Sequence, residues 1–305
     1  MPALATPASP SDRSASPNRL PAPLLFFISG LSLYMGAALA VNLFRELSPS
    51  AVAWLRLFGA AVVLLVWRRP RVSTWPRRRL VLAGVFGLVT AVMNIAFYEA
   101  VARIPLGTAV AMEFIGPVAV AAFGSRTKRD FLSLALVAMG VALIAKVEWK
   151  ASPLGLLLIG IAAILWAGYI ILGKRVASSG SGIDDLAVGA GVATIVLSPI
   201  GLLTAPVWSS GRLLLLGMGV GVLSSVIPYG LDQVVLARVG RARFALLLAL
   251  LPLTATLIGV IVLRQIPHVT ELVGALAVVV GVLFGSRSST APSASSTRSE
   301  DISSN

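Results

Sequence analysis

Glu113 stands inside an otherwise apolar run, residues 106–123, with Pro117 four positions later. At a rise of about 1.5 Å per residue, such a run is roughly as long as a bilayer core is thick. A carboxylate at mid-span costs on the order of 2.5–3.5 kcal/mol on insertion scales. Proline removes a helix hydrogen bond and clashes with the carbonyl four residues back, which here is that of Glu113. Apolar packing requires neither feature, so this turn is the first candidate site. One helical turn from Glu113 lie only Ala109 and Pro117, so its partner comes from another helix, a bound molecule or a proton.

Other polar residues fall inside apolar runs. Arg56 lies about as deep in its run as Glu113 does in its own, roughly 10 Å from the same end, so a contact between the two is sterically open. Asn94 and Tyr98 are four apart and share one helix face. They read either as a cavity lining or as interhelical hydrogen-bonding glue. Asp232 is placed to snorkel towards Arg238 or to join a gate near the end of its helix. Trp166 and Tyr169, with Tyr34 and Asn42, line a cavity or pack the bundle. Glu99 and Arg103 have the spacing and order of a helical ion pair near a membrane boundary.

The elements that carry these residues follow from composition. Of 305 residues, 57% are hydrophobic and only 12% charged, with mean hydropathy +0.92. Soluble domains carry about twice that charged fraction. The chain therefore reads as an all-α, polytopic membrane protein. Cysteine is absent and histidine occurs once, as His268, which excludes disulfides and thiolate chemistry and leaves little scope for a metal. A net charge of +13 would suit nucleic acid, but the basic residues sit in short loops between apolar runs, as membrane topology demands.

Apolar runs lie near residues 23–41, 50–67, 80–102, 106–123, 130–147, 153–173, 184–204, 212–237, 243–263 and 269–285, which gives ten expected spans. The first lacks a convincing small-residue cleavage site and is kept as an anchor. Residues 1–22 and 286–305 are polar tails of disordered composition. With both termini cytoplasmic, 18 of the 25 Lys and Arg residues fall on the inner side and 6 on the outer side, with Arg56 inside a span. A wrong count of spans would scramble that asymmetry.

The halves resemble each other. Ala102-Arg103 matches Ala237-Arg238, and the same offset of 135 places Pro117 on Pro252. Gly140-Val141 matches Gly281-Val282 after a short insertion. Each half holds five runs, an odd number, so the second copy (153–285) must be inverted relative to the first (23–147). Inverted repeats suit transport with alternating access about a midplane site.

No GxSxG, HExxH or Walker A pattern is present, so no enzyme and no cofactor is expected, and uphill transport would draw on an ion gradient. The Gly217-x-Gly219-x-Gly221 run follows no strand; it reads as a close helix contact rather than a nucleotide loop.

These residues resemble the drug/metabolite transporter superfamily of EamA type, and within it bacterial threonine/homoserine exporters. The resemblance spans about residues 24–285. It rests most on Met93-Asn94, Phe97-Tyr98, the stretch Ile104 to Gly107, and Ala109 to Pro117. Leu55-Arg56-Leu57, Trp166-Ala167, Tyr169-Ile170 and Pro228-Tyr229 support it. It implies a ten-helix, inverted-repeat exporter driven by protons, with an acidic residue at the place of Glu113. In that reading Glu113 receives the ammonium of a small amino acid and Arg56 its carboxylate, helped by Asn94 and Tyr98, and Glu113 exchanges a proton during the cycle. The family often has Glu before the ninth-helix proline and Gly-Glu at that helix's end; Leu251 and Arg264-Gln265 stand there instead. An exporter of a drug, sugar or purine therefore stays open, as does a non-transporting sensor or scaffold.

Overall fold

The computed structural model describes residues 20–104, 109, 112–125, 127–145, 152–178, 181–251, 254 and 269–287. Most of both tails, together with Pro252 and Arg264-Gln265, lies outside the described residues. Among the described residues every regular element is helical. In chain order they are α1 (Ala22–Leu43), α2 (Pro49–Arg68), α3 (Arg77–Val101), α4 (Ile115–Gly124), α5 (Lys128–Ala145), α6 (Pro153–Ala177) and α7 (Gly182–Val196). There follow α8 (Gly211–Arg238), α9 (Arg241–Leu248) and α10 (Val269–Arg287).

Local chemistry sets the helix ends. Ser48 and Ser152 cap α2 and α6 through their hydroxyl oxygens, each followed by a proline at the first helical position. Arg69 closes α2 in the left-handed region (φ 44°) and returns its N–H to the carbonyl of Leu65. Beyond α7 the chain bends by 70° into Ser198–Trp208, at a point where Pro199 cannot extend the preceding ladder. Within α8, Val222–Val226 form a π-helical turn.

α2, α3, α6 and α8 are each long and apolar enough to cross a membrane, and α7 together with its bent continuation has the length and composition of one further, broken span. α4 is a shorter apolar helix, and apolar stretches of similar length lie within α1 and α10. Many side chains on the outer faces of these helices are large and apolar, among them Ile164, Ile195 and Leu215, as lipid contact requires.

Small residues let the helices meet closely. A methyl group on Gly87 of α3 would collide with the backbone of Gly189 in α7, and one on Gly116 of α4 with the carbonyl of Ala163 in α6. Gly221 faces the Arg56 carbonyl on α2, so the glycine run of α8 forms the close contact its composition predicts. α5 and α10 form the most extensive helix pair. In it Gly140 meets Gly274 and Val278, while Gly281 meets Ser133 and Val137. Each of these three pairs of positions (Ser133 and Gly274, Val137 and Val278, Gly140 and Gly281) is 141 residues apart.

The wider contacts follow the same reciprocity. α3 packs on α6 and α7; α8 packs on α1 and α2. α2 meets α7, and α4 meets α9.

Candidate functional site

Arg56 is the centre of the polar interior. It projects from α2 and is 5% exposed. Its Nε donates to Ser225 Oγ at 2.7 Å and its Nη1 to the Tyr98 hydroxyl at 3.3 Å. Its Nη2 donates to the Ser224 carbonyl and, at 3.2 Å, to the Tyr229 hydroxyl. The Ser224 carbonyl belongs to the π-helical turn of α8, and such a turn displaces backbone groups from the regular ladder. The guanidinium carbon also lies 5.8 Å from the Tyr98 ring centroid and 5.6 Å from that of Tyr229. Every one of these partners is neutral. Among the described residues no carboxylate stands within ion-pair distance of Arg56.

Tyr229 links this cation to the rest of the interior. Its hydroxyl is 2.9 Å from Asn94 Nδ2 and 3.2 Å from Asn94 Oδ1, so donor and acceptor can both be matched. Asn94 also donates to the Thr90 carbonyl at 2.7 Å. The Tyr229 ring lies 5.4 Å from that of Tyr169, which stacks on Phe86 at 5.3 Å. Tyr169 donates its hydroxyl to Asp232 Oδ2 at 2.7 Å. Asp232 is buried and, among the described residues, has no cation at ion-pair distance. It turns into the bundle towards α6 and does not snorkel to Arg238, which instead donates to the Leu20 carbonyl at 3.1 Å. The aliphatic and aromatic wall around Asp232 offers it a phenol in place of bulk water.

Glu113 sits where α4 is interrupted: residues 112–113 are helical, Phe114 is a turn, and α4 proper begins at Ile115. The break therefore falls at the carbonyl that Pro117 leaves without its helical donor. Glu113 is half-buried and lies within electrostatic reach of Arg56, Tyr34 and Tyr229. Among the described residues it forms no ion pair. Trp166 meets the next residue, Phe114, edge-on at 5.5 Å. Asn42 lies in α1, but its side chain is outside the description. Glu99 and Arg103 pair at 2.6 Å as their spacing requires, and Glu99 also accepts from Ser50.

The structure thus joins Arg56, Asn94 and Tyr98 in one network and Tyr169 with Asp232 in a second, with Tyr229 between them. Glu113, Pro117 and Trp166 occupy the neighbouring α4–α6 wall. Sequence reasoning missed Tyr229 and Ser225 as site residues. A signal for Tyr229 was present, because it stands 135 residues from Asn94, the offset that relates the halves. Ser225 carries no comparable signal, since its role depends on a local π-turn. Between α2, α3, α7 and α8, Arg56, Asn94, Thr90, Ser225 and Tyr229 line a cavity of about 20 Å³. That volume accommodates about one water and not an amino acid.

Long apolar helices around a buried polar network define a multi-pass membrane protein of the transporter class. A family model described as EamA-like transporter family matches residues 153–287. The threonine/homoserine exporter RhtA of Salmonella typhimurium (strain LT2) is 35% identical over 255 residues, covering 79% of this chain and 83% of the relative. The threonine/homoserine exporter RhtA of Escherichia coli (strain K12) is 32% identical over 270 residues, covering 86% and 90%. One solved structure superposes with TM-score 0.66 over 87% of this chain and 96% of its own, at 18% identity, a likeness of fold alone. The chain belongs to the EamA-like transporter family. It is a multi-pass protein of the inner membrane and an exporter of a small molecule, not an enzyme.

Proposed function

We propose that this chain exports small amino acids of the threonine and homoserine kind, in exchange for protons, by alternating access. Its ten spans form two inverted five-helix repeats, 23–147 and 153–285, with both termini in the cytoplasm. The observation that carries the substrate class is the buried guanidinium of Arg56, held in place by four neutral acceptors and, among the described residues, with no carboxylate at ion-pair distance. A buried cation of this kind is orientated before cargo arrives and gains most from an incoming carboxylate. Glu113, half-buried on the neighbouring wall, provides the anion for the ammonium group. Asn94, Tyr98 and Tyr229 fix the orientation of both.

The small cavity at Arg56 describes a closed state, and cargo enters when α4 and its neighbours separate. The break between Glu113 and α4 provides the hinge. The Tyr169–Asp232 bond ties α6 to α8 nearer the basic end and acts as the gate on that side; Trp166 packs behind it. Glu113 gives up its proton as the ammonium binds and regains one on release. The reciprocal helix contacts, the 141-residue pairs of α5 and α10, and the bond between Asn94 and Tyr229 support the repeat. Basic residues concentrated at one end support the orientation.

The test is flux of labelled threonine and homoserine in proteoliposomes, with and without an imposed pH gradient. Export that rises with an opposing proton gradient, and that is lost in Glu113→Gln with insertion intact, supports the reading. Full export by that variant overturns the role of Glu113. Flux of neither amino acid, alongside flux of a sugar, purine or drug, overturns the substrate class.

A further inference from the structure

A second cavity, of about 740 Å³, opens at the basic end where α4 and α6 finish and α9 begins. It lies apart from Arg56, Asn94 and Asp232. Its lining is mixed: apolar Val120, Phe123 and Ile171, with Phe123 94% exposed, and basic Lys174, Arg175 and Arg241.

The three cations are not equivalent. Lys174 Nζ is committed to the C-terminal end of α8, donating to the Leu236 carbonyl at 2.6 Å and lying 3.5 Å from that of Ala237. Arg175 and Arg241 are exposed, and among the described residues neither makes a side-chain hydrogen bond or ion pair. Arg241 opens α9. Its cap, Gly240, provides no side-chain acceptor, and the first turn holds no acid. The free N–H groups of that turn therefore face the same opening as the guanidinium. Two uncommitted guanidiniums beside a helix start select an anion with several oxygens. An apolar lining that includes a fully exposed aromatic, Phe123, selects an anion that carries hydrocarbon.

We propose that this cavity is a binding site for an anionic phospholipid, with Arg175 and Arg241 holding the headgroup phosphate and Phe123 against the acyl chains. Basic pockets between helices at a membrane surface have the right chemistry for such a headgroup. Bound there, the lipid bridges the ends of α4, α6 and α9, and so stabilises the arrangement of the two halves on that side.

The experiment uses the full chain in nanodiscs of phosphatidylcholine, with or without one third phosphatidylglycerol, and reads the thermal unfolding midpoint. Phosphatidylglycerol is expected to raise the midpoint by several degrees. An R175Q/R241Q double variant loses most of that rise, and each single variant loses part of it, while the midpoints in pure phosphatidylcholine stay close to wild type. An R71Q/R78Q double variant removes the same charge from the same end but outside the cavity, and keeps the rise. Retention of the rise in R175Q/R241Q overturns the proposal. An equal loss in R71Q/R78Q also overturns it, because the effect is then one of general surface charge. If soluble glycerol 1-phosphate added to phosphatidylcholine discs matches phosphatidylglycerol, the site takes a free phosphate and the lipid assignment fails.

Discussion

Two buried aspartates on neighbouring helices have opposite surroundings. At the start of α7, Asp185 is 1% exposed and receives Arg79 through two hydrogen bonds, at 2.8 and 3.1 Å. Beside it Asp184 pairs with Arg68 at 2.6 Å. Arg79 in turn lies over the Trp75 ring, 3.6 Å from its centroid. Deeper in the bundle, among the described residues, Asp232 has only a phenol at hydrogen-bonding distance, and Arg56 has only neutral acceptors. The first region matches each charge with its opposite and so locks α2, α3 and α7 together at one end. The second holds charges without matching them. Complementary pairs are a way to hold helices still; charges with neutral partners leave room for a cargo or a proton to complete the match.

The strongest way to break this contrast is Arg56→Leu. It strips Ser225, the Ser224 carbonyl, Tyr98 and Tyr229 of a shared donor inside a low-dielectric core. Hydrogen bonds to charged groups are worth about 1.5–3 kcal/mol each, and a buried group left unsatisfied costs a similar amount. Restored solvation of the unfolded arginine offsets part of this, so a net loss of roughly 3 kcal/mol is expected. If Arg56 receives the cargo carboxylate, as proposed, export falls below detection even in the folded fraction. Denaturant unfolding in micelles and flux per folded molecule measure the two effects separately. Wild-type flux per folded molecule would erase the distinction between the regions.

Asp232→Asn sharpens the contrast. The amide still accepts from the Tyr169 hydroxyl, so stability changes by less than about 1 kcal/mol. If the Tyr169–Asp232 bond is the proposed gate, flux driven by a pH gradient is expected to fall at least tenfold, because a neutral amide changes the strength of the bond that ties α6 to α8. Tyr169→Phe, unlike Asp232→Asn, removes that hydrogen bond and leaves the buried Asp232 carboxyl without it, at a cost of about 1–3 kcal/mol, with a smaller loss of flux. If both variants keep wild-type flux, the pair is structural, like the one at Asp185.

What was legible in the sequence follows the same division. Depth was legible in part: Arg56, Glu113 and Asp232 each stand in an apolar run, and the structure buries Arg56 and Asp232 and leaves Glu113 half-buried. Spacing was legible where the partners are four residues apart in one stretch, as for Glu99 in α3 with Arg103 just past its end. Partners on different helices were not, because the sequence fixes how far along a helix a residue lies but not which way it turns. Thus Asp232 bonds Tyr169 rather than turning towards Arg238, and Arg56 meets Ser225 on a π-helical turn that no residue pattern announces. The proposed repeat would narrow that gap: Asn94 and Tyr229 stand 135 residues apart, the offset that aligns Pro117 with Pro252, and they bond each other.

At the matched end the expected effects are smaller and of another kind. Asp185→Ala leaves Arg79 without its carboxylate, but Arg79 is 23% exposed and stacked on Trp75, so water screens what remains. A loss of about 1–2 kcal/mol is expected, with the amount of folded protein reduced and the flux of each folded molecule unchanged. A large drop in flux per molecule would place the cluster within the transport cycle.

Arg103→Gln tests the boundary of the argument. Glu99 and Arg103 are also oppositely charged and close, but they lie in the last turn of α3 and the turn just after it, near the opposite end, partly open to water. Such a pair is worth roughly 0.5 kcal/mol or less, and high salt screens most of it. Glu99 keeps the N–H and hydroxyl of Ser50 after the substitution, so the link between the start of α2 and the end of α3 survives. Unfolding at low and high ionic strength should show a difference from wild type that vanishes with salt, and export should not change. A loss of export here would mean that matched charges at this end also move during the cycle, and that pairing alone does not separate the fixed parts of the bundle from the working ones.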